Sequence, residues 1–173
     1  MAASRFARRR QKTIWSPIST AVVWSGLSLL PAADVYGFRL GVKYADPWGH
    51  RGATHSLLFT LGVALVVGLI AKLARLPARR ITLIAAVVLV SHPLLDTLTD
   101  GGLGCALLWP FSNRRFFAPW TPLPVAPIGR DFLSAEGLRV AVTELVLMAP
   151  LLAYALWPAR RALTSSRTPS ARE

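Results

Sequence analysis

The 173-residue sequence holds a single cysteine, Cys105. One thiol excludes an internal disulfide and any zinc site built on cysteines. Charge is scarce too: Asp, Glu, Lys and Arg make up only 16% of the chain, well short of the roughly 25% of a soluble domain. Hydrophobic residues reach 53% and the mean hydropathy is +0.45, which predicts a membrane protein of one domain. Acidic residues are the rarest charges, 8 against 20 Lys and Arg, for a formal net charge of +12. Such a balance would suit a nucleic-acid-binding domain. The arginines, however, cluster at the two termini and in one short turn between long apolar runs, so no direct binding of nucleic acid is expected.

Four apolar runs organise the chain. The first, Thr13 to Ala33, is uncharged and follows Arg5, Arg8, Arg9, Arg10 and Lys12. It is long enough for a spanning helix, although rich in serine. A cleaved signal peptide is the competing reading, with small residues at Pro31-Ala32-Ala33 near a cleavage point. The second run, Ser56 to Ala71, and the third, Ile81 to Leu98, are joined by a basic, proline-containing turn from Lys72 to Arg80, which predicts two antiparallel helices. The fourth, Leu138 to Trp157, precedes Arg160, Arg161, Arg167 and Arg172.

With four spans, the amino terminus, the turn and the tail share one side and carry 13 of the 20 Lys and Arg. The excess of positive charge assigns that side to the cytoplasm. The expected architecture is therefore an all-α, polytopic membrane protein of about four transmembrane helices with both termini cytoplasmic. Residues 1–12 form a basic N-terminus and residues 13–157 a single membrane-embedded domain with outer loops 34–55 and 99–137. Residues 158–173 form a basic tail.

That topology puts Asp34, His50 and His55 on the outer side. His92 and Asp96 lie one helical turn apart on one face of the third span, with Asp96 about 22 Å along it from Ile81. Glu144 falls near the same level. Ionisable groups at such depth are costly, and they mark function more often than not. Histidines five apart on one continuous helix would diverge. The glycines of Gly49-His50-Arg51-Gly52-Ala53-Thr54-His55-Ser56 instead predict a loop that folds His50 back, with Thr54 as the cap of the following helix.

His50, His55, His92 and Asp96 make a nitrogen and oxygen donor set for a divalent metal. Zinc is the first choice, with manganese or iron as alternatives. Asp34 is either a further ligand or a partner that orients a histidine. An ion in this set would lower the pKa of a bound water and supply hydroxide for hydrolysis, with His92 and Asp96 at the catalytic centre. The competing reading of His92 and Asp96 is a buried hydrogen-bonded pair that locks helix packing.

The segment from Thr99 to Gly137 interleaves aromatic rings with Arg114 and Arg115. Such a stretch suits a membrane interface, either as an anchor or as a contact for an anionic headgroup, and its length suggests a lid. Arg51, Arg114 and Arg115 are the candidates for substrate binding.

Taken in order, Pro31-Ala32-Ala33-Asp34, His50-Arg51-Gly52-Ala53-Thr54-His55-Ser56-Leu57-Leu58, His92-Pro93-Leu94-Leu95-Asp96-Thr97-Leu98-Thr99 and Leu108-Trp109-Pro110-Phe111-Ser112 resemble the YdjM/YbcI-type bacterial inner-membrane proteins. That family is described as membrane-bound metal-dependent hydrolases and as LexA-binding. The resemblance covers about Pro17 to Glu144. It implies a polytopic protein of the bacterial inner membrane whose histidines and aspartates bind metal, with a distant likeness to zinc-dependent phospholipase C. Two positions depart from the family pattern. Thr20 stands where members usually carry a histidine, and Ala32 replaces the first residue of an Asp-x-Asp pair. These losses weaken a two-metal site more than a one-metal site, and they leave open a mononuclear or a degenerate centre.

The function expected from the sequence is metal-dependent hydrolysis of an ester or phosphoester, lipid-like or anionic, at the outer face of the membrane. The alternative is a non-catalytic scaffold or regulator embedded in the bilayer, whose basic tails recruit a cytoplasmic protein partner.

Overall fold

A computed structural model of the chain describes residues 17–165. Within them the regular structure is helical, with four α-helices: α1 (Pro17–Ser28), α2 (Leu57–Leu73), α3 (Ala78–Asp96) and α4 (Ala135–Ser165). Extended pairing among the described residues is confined to isolated bridges at Thr99 and Leu123 and at Cys105 and Phe116. Two compact units can be distinguished, one running through Leu94 and including Ala106–Arg114, the other comprising Leu95–Cys105 and the chain from Arg115 onward. The boundary cuts the last turn of α3, so Asp96 remains tied to His92 by one continuous helix.

The apolar runs become helices with shifted ends. Residues 13–16 of the first run lie outside the described residues, as do residues 1–12 and 166–173 of the tails. The remainder of that run forms α1 and then turns by 55° into a 3-10 helix, Pro31–Leu40. Pro31 opens this second helix, where its missing N–H costs nothing and its fixed φ favours a fresh start. The run expected to form one spanning helix is thus bent. Helices α3 and α4 are long and apolar enough to cross a membrane, a third candidate arises if α1 and the 3-10 helix count as one broken span, and α2 is a shorter apolar helix.

In the first unit, α2 ends in a Schellman motif. Leu76 N donates to Ala71 O at 2.9 Å and Arg75 N to Lys72 O at 3.0 Å, which satisfies carbonyls that would otherwise lack partners. Pro77 follows, and α3 starts at Ala78, as the basic turn predicted. Small residues make the α2 face that buries: Thr60, Ala64, Gly68 and Ala71 recur about every fourth position, the pattern that lets helix backbones approach in lipid. A Cβ on Gly68 would collide with Thr82 Oγ1. Ala64, Ala85 and Leu89 form the core, with Trp24 and Leu27 of α1 packed against it. Elsewhere the large aliphatic side chains point outward, as expected where lipid is the solvent.

The second unit is built on backbone pairing and α4. Cys105 and Phe116 exchange hydrogen bonds at 3.0 and 2.9 Å, and Ala118 N donates to Thr97 O at 2.8 Å. Gly104, at φ +75°, lies against the Phe116 carbonyl, where a Cβ would not fit.

Candidate metal centre

The loop between the 3-10 helix and α2 is tightly folded. Gly49 and Gly52 pack against the carbonyls of Lys43, Tyr44 and Pro47 too closely for any Cβ, so these glycines permit the reversal that returns His50 toward Asp34. A short 3-10 turn, Ala53–His55, leads into α2. The cap of α2 is Ser56, whose Oγ accepts from Phe59 N at 3.1 Å, and not Thr54 as the sequence suggested. The cause is that Thr54 is already committed to a carboxylate.

That carboxylate is Asp34, whose side chain is 1% exposed. Its Oδ1 lies 2.7 Å from His50 Nδ1. The other oxygen, Oδ2, accepts from Thr54 Oγ1 at 2.7 Å and from Arg51 N at 3.1 Å, and lies 3.1 Å from His55 Nδ1. Asp34 stands past the bend, where the apolar run has ended. Burial by itself would raise its pKa, but the hydrogen bonds to His50, His55 and Thr54, with the charge interaction of His55, outweigh this and hold the carboxyl below its ordinary range. An ionised acceptor is matched by donors on the facing imidazole nitrogens, Nδ1 of both rings.

His55 is fully buried. Its ring centroid lies 5.7 Å from that of His50 and 5.2 Å from that of His92. His55, His92 and Asp96 each offer one ligand atom, and these atoms lie within 4.8 Å of one another. Donors about 2.1 Å from a shared tetrahedral ion stand roughly 3.4 Å apart, so small side-chain rotations separate this arrangement from a coordination sphere. Two imidazoles and a carboxylate are a familiar three-ligand set for a catalytic zinc. Asp34 and His50 are outside this triad, and Asp34 meets it through the Nδ1 of His55. With Nδ1 so engaged, Nε2 is the nitrogen of His55 left to bind a metal, the carboxylate–histidine arrangement that orients a ligand ring. Pro93, inside α3, is fully buried.

Residues 106–114 of the long segment between α3 and α4 join this unit. Ala106 N donates to Arg51 O at 2.9 Å and Leu57 N to Leu107 O at 3.0 Å, while Trp48 and Trp109 meet edge to face with centroids 5.0 Å apart. This stretch is stitched to the histidine loop. Arg51 is 4% exposed and adopts a left-handed backbone at φ 60°. Arg114 is exposed. Arg115 donates to Gly104 O at 3.5 Å. Thr20 does not stand beside the triad; it lines an apolar groove between α1 and the α2–α3 turn.

Two neighbours of the site, Thr54 and Tyr44, are not among the site residues read from the sequence, where Thr54 figures only as a helix cap. Thr54 carried a signal, as a hydroxyl adjoining a histidine. Tyr44, whose ring centroid is 5.3 Å from that of His50, carried none.

The model of the YdjM inner membrane protein family matches residues 1–162. The inner membrane protein YbcI of Escherichia coli (strain K12) is 43% identical over 140 residues, covering 78% of this chain and 81% of its own length. No solved structure matches. These matches place the protein in the inner membrane.

Proposed function

Because the chain belongs to the YdjM inner membrane protein family, we propose that it is a membrane-embedded, metal-dependent hydrolase acting on an ester or phosphoester at the outer face of that membrane. The observation that carries this reading is the convergence of His55, His92 and Asp96 within 4.8 Å, with the far nitrogen of His55 held by Asp34. In this proposal His55, His92 and Asp96 hold one divalent ion, zinc by the chemistry of the donors. When bound, such an ion polarises a substrate oxygen and lowers the pKa of water.

The other residues have separable roles. Asp34 fixes the tautomer and ring orientation of His55, while His50 and Thr54 hold Asp34 in place. Arg51, with its guanidinium borne on a strained and buried backbone, stabilises negative charge developing on the substrate. Arg114 and Arg115 supply anion contacts at the interface. A lipid-like substrate follows from a centre at the end of an apolar helix.

Four spans with both termini in the cytoplasm complete the proposal. At 17 residues, α2 is at the short end of spanning length, and the tight connection to α3 makes the two antiparallel. The test is a screen of carboxylesters and phosphoesters with protein purified in detergent, run with and without a chelator. Hydrolysis that the chelator abolishes and zinc restores is the expected result, and activity indifferent to chelation would overturn it.

A further inference from the structure

The α2–α3 turn and the groove beside it form a site of a different kind. A groove of about 550 Å³ runs between α1, the C-terminal half of α2 and the start of α3, lined by Val23, Trp24, Leu27, Val67, Ile70 and Leu76 among others. That volume is within the range of small-molecule sites, about 300–1,000 Å³, and its lining is almost wholly apolar. Its rim is the opposite: Lys72, Arg75, Arg79 and Arg80 are exposed and adjoin the lining residues Ala71, Ala74, Leu76 and Ile81 in sequence. Among the described residues none of these four cations has an ion-pair partner.

A second observation singles out Arg75. It occupies the left-handed position of the Schellman motif, at φ 57°, where glycine is the usual residue because a Cβ is strained there. A non-glycine residue held there makes its side chain a candidate for function. An apolar slot edged by unpaired cations at a membrane surface has the chemistry of an anionic phospholipid: a chain in the slot and a phosphate on the guanidinium groups.

We propose that this turn is a binding site for an anionic phospholipid, with one acyl chain in the groove between α1 and α2 and the phosphate held by Arg75, Arg79 and Arg80. The site is independent of the metal centre. Full-length protein in detergent is equilibrated with phosphatidylglycerol or with phosphatidylethanolamine of the same chains. Retained lipid is read by native mass spectrometry, and thermal stability is measured alongside. Wild type retains phosphatidylglycerol in preference. R79Q/R80Q lowers retention about fivefold for each cation removed.

Arg75→Gly lowers it likewise while thermal stability holds or rises, because glycine relieves the turn; a purely structural arginine would leave retention unchanged. Gly26→Leu fills the groove, where a Cβ meets nothing within 4 Å, and lowers retention with all four charges present. Equal retention of the two lipids by wild type would overturn the proposal. Retention of phosphatidylglycerol at the wild-type level by Arg75→Gly, by R79Q/R80Q or by Gly26→Leu would do the same.

Discussion

Asp34 Oδ2 stands 3.1 Å from Nδ1 of His55, and this contact ties the 3-10 helix Pro31–Leu40 to the short turn that leads into α2. It assigns the two nitrogens of His55 to different tasks, one facing the carboxylate and the other available to an ion. Asp34→Asn keeps the size of the side chain but removes its charge, and its amide can present N–H where an acceptor is needed. Metal affinity should fall by about 10- to 100-fold with helix content unchanged, as read by competition with a zinc chelator and by circular dichroism. Affinity equal to wild type would remove Asp34 from the site.

In the proposed site the five polar residues named from the sequence divide into a triad and its support, so their alanine variants should differ in kind. His55→Ala and Asp96→Ala should abolish metal retention. His50→Ala should retain metal with weakened affinity, since His50 acts through Asp34 at 2.7 Å. Metal content after dialysis checks this, and a His50→Ala protein as empty as His55→Ala would mean that His50 is itself a ligand.

What the sequence revealed depended on the range of the forces involved. The α2–α3 hairpin was legible because two apolar runs bounded by Lys72 and Arg80 leave few alternatives. Helix ends were less so. Ser56 replaced Thr54 as the cap of α2 because the Thr54 hydroxyl bonds Asp34, a partner supplied by the tertiary fold. The bend at Pro31 was hidden by an apolar run that continues through it. The sequence alone does not separate a ligand from an orienting role for Asp34, since only the folded loop shows that its two oxygens meet His50 and His55.

Close approach of α2 and α3 rests on Gly68. A Cβ there collides with Thr82 Oγ1, so Gly68→Val should destabilise the protein by about 1–3 kcal/mol, the usual cost of overpacking. Adding Thr82→Ala should restore part of the loss. Thermal unfolding in detergent reads both, and an unchanged midpoint in Gly68→Val would mean that the helices part there at no cost.

The proposed hydrolase and the scaffold alternative make opposite demands on the histidines and the basic tail. Deleting residues 160–173 should leave hydrolysis intact, whereas His92→Ala should reduce it to background. A cellular phenotype lost on deletion of the tail but kept in His92→Ala would favour the scaffold reading instead.

If His55, His92 and Asp96 hold an ion, as proposed, transition-metal content per chain reveals it, measured by mass spectrometry on wild type and His92→Ala purified side by side in detergent. About one zinc per wild-type chain and close to none in the variant are expected. A wild-type protein without stoichiometric transition metal, or a variant that carries as much as wild type, would contradict the proposal.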